Sequence, residues 1–138
     1  MKVVLASKHT HKLVEISAIR KPMDVELVLE SDLGVDVEVE ETGSTFEENS
    51  FLKANAVRKA TGLPALADDS GIAVDALGGA PGVHSARYGD DPALDDWGRL
   101  LLLLKNTEQV PDGQRQAQFV SVITLVYPDG RVIQARGE

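Results

Sequence analysis

LPALADDSGIAVDALGGAPGVHSARYG, residues 63–89, carries the strongest structural pattern in the chain. A small apolar run ends in two adjacent aspartates, and a second apolar run follows a Ser-Gly pair. Short apolar runs bounded by turn-forming residues are typical of buried strands. We therefore expect two short strands, 63–69 and 71–77, that are separated by the Ser-Gly pair and followed by a glycine-rich loop over 78–91.

The adjacent aspartates, Asp68 and Asp69, raise the question of what two carboxylates do at the end of a buried strand. Successive side chains of a strand point to opposite faces, so the two are expected to divide their work. One could hold a metal or activate water, while the other caps a turn or orients a neighbour. Taken alone, the sequence Asp-Asp-Ser-Gly more often forms an ordinary turn.

The residues before this stretch alternate between strand and helix patterns. Residues 2–6 form a short apolar run of strand length, and residues 25–31 and 35–41 are also strand-like. A helix after the first strand is indicated by the near-helical spacing of Leu13, Ile16 and Ile19. Glu40 and Glu41 end the 35–41 segment, so acidic side chains follow two of the expected strands. Carboxylates at such strand ends are suitable ligands for Mg²⁺.

Residues 44–62 give the clearest helical signal. Thr45 followed by Glu48 matches the capping-box pattern, and Gly62 is well placed to end the helix. Asn49 and Lys53 are four residues apart and share one face of this helix. A lysine on that face could neutralise a phosphate, although an ordinary solvated lysine is the simpler interpretation.

The C-terminal part combines one more helix with a hairpin. Asp91 is predicted to cap the helix, with Pro92 in its first position. A long β-type run at 115–127 is followed by Pro-Asp-Gly and by a second run at 131–137, which predicts a hairpin. One face of the first run would carry Ala117, Phe119, Ser121, Ile123, Leu125 and Tyr127. The fold class is therefore α/β, with a mixed twisted sheet flanked by helices.

Composition narrows the function classes. The 138 residues include 43% hydrophobic residues and no cysteine, which fits one cytoplasmic domain without disulfides or thiolate metal sites. No apolar run is long enough to span a bilayer, and no secretory signal precedes the first strand. A net charge of −8 argues against binding to a nucleic-acid backbone, but it leaves room for a small anionic substrate held through a cation.

The polar loop at residues 7–12 is a candidate phosphate-binding site. It follows the first strand and precedes a helix, where ligands often bind in α/β proteins. It lacks the glycines of a Walker loop, so an ordinary polar loop is the alternative. The spacing of the three histidines does not suggest a zinc site. Trp97 and the leucines at 100–104 are expected to belong either to the core or to a contact between subunits.

Four motifs occur in an order that identifies a family. They are LASKHTHKLVEI (5–16), EETGSTFEENSFLKA (40–54), the 63–88 segment and RQAQF (115–119). Together they resemble the inosine triphosphate pyrophosphatase family, across essentially the whole chain. The resemblance implies an elongated, two-lobed α/β fold and a homodimer. It also implies a Mg²⁺-dependent enzyme that converts ITP, dITP or XTP to the monophosphate and pyrophosphate.

The resemblance also implies roles for individual residues. Asp69 is similar to the general base and metal-linked aspartate of the family, and Lys53 to a lysine that neutralises phosphate. Glu41 and Asp68 resemble further acidic residues of the metal site. The implied substrate contacts are Ser7, Lys8, His9, Thr10, His11, Lys12 and Ser70.

The sequence departs from the family in three places. His9 stands where asparagine is usual, and His84 where tyrosine is usual. The chain also ends before the glycine-rich segment and the Ser-His-Arg positions that read the purine base. We therefore expect residues 1–138 to form an ITPase-like domain with an incomplete C-terminus and weak purine discrimination. The alternative is a catalytically impaired module that binds nucleotide or metal, or that dimerises, without turnover.

Overall fold

The computed structural model describes residues 1–7, 10–20 and 25–138, with the backbone alone described at 10, 11, 19 and 20. Short 3-10 helices at Glu30–Leu33, Asp75–Leu77 and Gly82–Arg87 lie between the longer elements. The strands and α-helices, in chain order, are β1 (Lys2–Leu5), α1 (Thr10–Arg20), β2 (Glu26–Leu29), α2 (Phe46–Thr61), β3 (Ala65–Val74), α3 (Asp96–Asn106), β4 (Ala117–Val126) and β5 (Val132–Gly137).

The strands form a sheet in the order β2-β1-β3-β4-β5. β1 runs parallel to both of its neighbours, with Val4 opposite Val28 in β2 and opposite Ala65 in β3. β4 and β5 are adjacent and joined by a turn, in which the Tyr127 N–H donates to the Arg131 carbonyl at 2.8 Å. The predicted α/β class, mixed sheet and C-terminal hairpin are confirmed.

The chain divides into two compact units, and the first contains Met1–Asp69 and Val122–Ala135. Its core is apolar and fully or almost fully buried, with β1 and the adjoining part of β3 packed under α2. The buried cluster consists of Val4, Ala54, Val57, Ala65, Ala67 and Val126. Burial of this apolar surface is the main contribution to the stability of the unit.

Helix α2 begins and ends where its sequence predicts. Thr45 accepts a hydrogen bond from the Glu48 N–H at 3.1 Å, and Gly62 takes the left-handed conformation (φ 69°) that ends the helix. The Glu48 carboxylate accepts from the Ser44 N–H at 2.9 Å, so the capping box is displaced by one residue. The helix therefore has a fixed start, and its buried face is set against the sheet.

The second unit contains Ser70–Ser121 and Arg136–Glu138. Its 3-10 helix at Gly82–Arg87 is attached to β3 by Ser85, which accepts from the Ile72 N–H at 3.0 Å and donates to the Gly82 carbonyl at 2.6 Å. A Cβ on Gly71 would collide with that carbonyl and with the Ser85 hydroxyl. A glycine is therefore needed at residue 71 because two backbones approach closely there.

Two strand predictions are wrong. Residues 71–77 do not start a new strand, because β3 continues through Ser70 and Gly71 to Val74. Residues 35–41 form no strand, although their alternating pattern suggested one. The backbone of this segment bonds instead to Glu30, whose carboxylate accepts from the Val37 N–H at 3.3 Å and whose carbonyl accepts from the Val35 N–H at 3.0 Å.

The predicted start of α3 is also wrong. Asp95 caps the helix by accepting from the Gly98 N–H at 2.7 Å. Asp91 accepts from the Ala93 N–H at 2.9 Å and so closes a separate turn before the helix. The segment predicted as a loop over 78–91 contains the 3-10 helix at Gly82–Arg87. Within the described residues, no helix is both long and apolar enough to cross a membrane.

Candidate active site

Asp69 lies inside β3 and is almost completely buried, with 8% of its surface exposed. Its Oδ2 atom is shielded from solvent and has no hydrogen-bond partner among residues 1–7, 10–20 and 25–138. A buried ionised oxygen without a partner is unfavourable in a folded protein. This atom therefore marks a position where a cation or a polar ligand would stabilise the structure.

Lys53 brings a positive charge from α2 to the same place. Its Nζ lies 3.2 Å from Glu41 Oε1 and 3.6 Å from Asp69 Oδ1. It also donates to the backbone carbonyl of Asp68. One ammonium group thus joins the segment before α2 to β3, and the structure brings Lys53, Glu41 and Asp69 together; their roles stay predictions.

Asp68 has a different partner. Lys12, in the first turn of α1, donates to Asp68 Oδ2 at 2.7 Å. The two adjacent aspartates therefore meet different lysines, as the alternation of side chains along a strand leads one to expect. Lys12 is a predicted phosphate-binding residue, and its position beside Asp68 brings a second cation to the middle of β3.

The pKa of Asp69 is raised above its ordinary value of 3.8. Burial is the largest cause, because it disfavours the charged form. The Lys53 ammonium opposes this effect, the negative charge of Glu41 adds to it, and side-chain contacts from Lys53 and Asn49 lower the pKa. A carboxylate with a raised pKa is a stronger proton acceptor, which is the property of a general base.

The donor set fits a hard divalent cation. Asp69 Oδ2 offers a buried oxygen, and Glu41 offers a second carboxylate that shares Lys53 with it. Mg²⁺ commonly takes one or two carboxylates and fills its other positions with water and substrate phosphates. In the described part of the chain, no three acidic or histidine side chains form a preassembled metal cluster. A ligand role for Asp68 in addition stays a prediction.

The remaining predicted residues are placed only in part. Ser7 lies two residues after the end of β1, and its N–H donates to the Leu5 carbonyl at 2.9 Å. Lys8 and His9 lie outside the described residues, as do the side chains of Thr10 and His11. In the second unit, the Ser70 hydroxyl donates to Ser121 Oγ at 3.1 Å. The substrate contacts assigned to these residues stay predictions.

Asn49 is a site residue that the sequence analysis placed beside Lys53 without giving it a role. It is fully buried in the first turns of α2, and its amide contacts both backbone groups of Gly43. In the sequence, Asn49 is marked by its position one helical turn before Lys53 and by Gly43 shortly before the helix. The hydrogen bonds between the Asn49 side chain and the Gly43 backbone could not be read from that spacing.

The fold is a mixed α/β sheet, and its candidate site combines a buried aspartate in β3 with two lysines that pair with carboxylates. The chain belongs to the Ham1 family, whose family model matches residues 3–138. The sequence-based resemblance to the inosine triphosphate pyrophosphatases is thereby confirmed.

Several relatives and solved structures are similar to the chain. A dITP/XTP pyrophosphatase of Shigella flexneri is 52% identical over 126 residues, which are 91% of this chain and 62% of the relative. One of Deinococcus radiodurans is 48% identical over 137 residues, covering 99% of this chain and 65% of the relative. The chain thus spans less than two thirds of the length of these curated relatives.

The solved structures agree in fold. A nucleoside-triphosphatase / dITP/XTP pyrophosphatase from Mycobacterium abscessus superimposes with a TM-score of 0.87 at 44% identity, over 99% of this chain and 71% of that one. A HAM1 protein from Coxiella burnetii gives a TM-score of 0.90 at 37% identity, over 99% and 70% of the two chains. Both comparisons support the α/β architecture derived from the sequence.

Proposed function

We propose that the protein is a Mg²⁺-dependent pyrophosphatase of non-standard purine nucleoside triphosphates, with dITP, XTP and ITP as substrates. The observation that carries the proposal is the buried Asp69 carboxylate, with one unpartnered oxygen in the described structure, beside Lys53 and Glu41. The names of the relatives from Shigella flexneri and Deinococcus radiodurans supply the substrate class. We also propose that it acts in the cytoplasm, on the nucleotide pool.

The reaction requires charge neutralisation more than covalent catalysis. Lys12 and Lys53 carry the positive charges that would meet the triphosphate, and each pairs with a carboxylate in the middle of β3, Lys12 with Asp68 and Lys53 with Asp69. Asp69 and Glu41 would hold Mg²⁺, which polarises phosphoryl oxygens and neutralises their charge. Asp69 would accept the proton that the attacking water gives up as the α–β anhydride is cleaved to monophosphate and pyrophosphate.

Further parts of the proposal concern substrate and subunit contacts. Ser70 and the 7–12 segment would bind the phosphates, with Ser7 after β1 and Lys12 in the first turn of α1, where the expected loop has already given way to the helix. We also propose that the protein is a homodimer. Its support is a stripe of exposed apolar side chains on α3, made up of Trp97, Leu100, Leu101 and Leu104.

The test is hydrolysis of dITP and XTP with and without Mg²⁺, with the monophosphate and pyrophosphate quantified by chromatography. We expect Mg²⁺-dependent release of both products. Asp69→Asn should lower kcat by about 100- to 10,000-fold, the usual contribution of a general base. Asp112→Asn is the matched control, because the Asp112 carboxylate is fully exposed, and it should keep the parent rate. Unchanged hydrolysis by Asp69→Asn would refute the catalytic assignment.

A further inference from the structure

Asn49 joins the start of α2 to the segment that precedes it. Its side chain is 0% exposed. Its Oδ1 accepts from the Gly43 N–H at 2.8 Å, and its Nδ2 donates to the Gly43 carbonyl at 3.4 Å. Both polar ends of one buried amide are therefore used on the backbone of a single residue, so the position of that residue follows the position of the helix.

Gly43 fits closely against the first turn of α2. A Cβ at this residue would lie 2.6 Å from Glu48 Cβ and 2.7 Å from Asn49 Oδ1. The next residue is held as well, because the Ser44 N–H donates to the Glu48 carboxylate at 2.9 Å. Two consecutive residues of the segment are thus attached to the helix by short, directional contacts.

Glu41 lies two residues before this attachment. Its carboxylate is 3.2 Å from Lys53 Nζ, and both side chains are partly exposed. Partly exposed ion pairs restrain a segment only weakly, because solvent screens them. The segment carrying Glu41 forms no strand, so the sheet does not hold it. The buried contacts between Asn49 and Gly43 are therefore the stronger restraint on where Glu41 lies.

We propose that Asn49 is a positioning residue, which fixes Gly43 so that Glu41 stays beside Lys53 and Asp69 to bind a divalent cation. The inference rests on the proposed function in one respect, namely that Glu41 takes part in cation binding. Asn49 also makes a side-chain contact with Asp69, but the role proposed here is to position Glu41 rather than to bind the cation or the substrate. It acts through Glu41, and this distinguishes it from a residue that merely stabilises the helix.

A double-mutant cycle on cation affinity tests the proposal. Mn²⁺ binding is measured by electron paramagnetic resonance for the parent, Asn49→Ala, Glu41→Gln and the double variant. We expect each single substitution to weaken binding by roughly 10- to 100-fold, the usual effect of losing a ligand's supporting contact. The double variant should bind no more weakly than the worse single variant, because both changes remove the same ligand.

Two further variants supply a control and a second test of the contact between Asn49 and Gly43. Asn55→Ala, on the same helix, removes a side chain that pairs with Arg58 and should leave Mn²⁺ affinity unchanged. Gly43→Ala disturbs the same contact from the segment side, and it covers the case in which Asn49→Ala does not fold. We expect Gly43→Ala to weaken Mn²⁺ binding by a similar factor.

The outcomes separate this inference from the proposed function. Parent-like Mn²⁺ affinity in Asn49→Ala or Gly43→Ala overturns the inference, as does a double variant whose loss equals the product of the single losses. A parent protein that binds no Mn²⁺ also overturns it. If the cycle is non-additive but dITP and XTP are not hydrolysed, the inference stands and the proposed function fails.

Discussion

Asp69 is held in a position that is unfavourable for an ionised carboxylate. It is buried, Glu41 places a second negative charge nearby, and Oδ2 lacks a hydrogen-bond partner within the described residues. Lys53 offsets only part of this, because its ammonium is shared with Glu41 and with the Asp68 carbonyl. A bound cation would supply the missing interaction. Functional sites are commonly kept in this way at the expense of stability.

We expect Asp69→Asn to stabilise the protein at neutral pH when metal is absent. Since the pKa of Asp69 is raised above 3.8, the folded protein keeps this proton to a higher pH than the unfolded chain does. The contribution of the group to stability is therefore complete below pH 3.8 and is lost as pH rises through the folded-state pKa. The amide of asparagine cannot ionise, so this loss should disappear.

Differential scanning calorimetry in EDTA between about pH 4 and pH 8 measures the effect, because the pKa of Asp69 is raised above 3.8. Asp69→Asn should melt at a higher temperature than the parent at pH 7, and the two melting temperatures should converge towards pH 4. Asp112→Asn is again the control, with a parent-like profile. An Asp69→Asn protein that melts at or below the parent temperature at pH 7 contradicts the interpretation.

At the scale of elements, α2 is attached to the hairpin through buried hydroxyl groups. The Ser50 hydroxyl donates to the Glu47 carbonyl at 3.1 Å and also meets the hydroxyl of Thr124 in β4. Gln134 in β5 donates to Thr124 Oγ1 at 2.9 Å and to the Glu47 carbonyl at 3.0 Å. These bonds fix the position of α2, the helix that carries Lys53 and Asn49, and therefore the position of those two residues.

Thr124→Val should lower the free energy of unfolding by about 1–3 kcal/mol, because it leaves the buried Ser50 hydroxyl and the Gln134 amide short of a partner. Urea denaturation measures the change. The matched control is the double variant Ser50→Ala/Thr124→Val, in which both buried hydroxyls are gone. Its loss should be smaller than the sum of the two single losses. Strictly additive losses would show that the hydroxyls do not act together.

At the scale of the whole molecule, α3 presents an apolar stripe to solvent. Trp97, Leu100, Leu101 and Leu104 follow helical spacing and are 65%, 45%, 48% and 55% exposed. Exposed apolar patches on proteins are typical of contact surfaces. The leucine-rich segment, which the sequence analysis left open between core and subunit contact, is thus exposed on one face.

If this stripe is the proposed dimer contact, Leu101→Lys/Leu104→Lys should convert the dimer to a monomer, because two charges would have to be buried in an apolar interface. Size-exclusion chromatography with light scattering measures the mass. Val14→Lys is the control, since Val14 is a 70% exposed apolar residue on a different helix. A parent protein that is monomeric at micromolar concentration contradicts the dimer, and a dimeric double variant contradicts this interface.

Predictions from the sequence succeeded where the deciding interactions are local. The limits of α2 follow from Thr45 and Gly62, each of which acts on the adjacent turn. The predictions failed where a backbone group bonds to a side chain, or where a residue packs against a segment that is distant in the sequence. Residues 35–41 form no strand because Val37 bonds to a glutamate side chain. β3 does not turn at Gly71, because this glycine accommodates Gly82 and Ser85 rather than a bend.

The sequence by itself determined the α/β class, the limits of α2, the C-terminal hairpin and the family, and it supplied the charged residues proposed for the candidate site. Only the tertiary structure decided how those charges are paired. Lys12 meets Asp68 across 56 residues of chain, and Lys53 is shared between Glu41 and Asp69. Spacing along a strand indicates which way a carboxylate points. Its burial and its partner depend on packing between elements, because only packing removes water and brings distant side chains together.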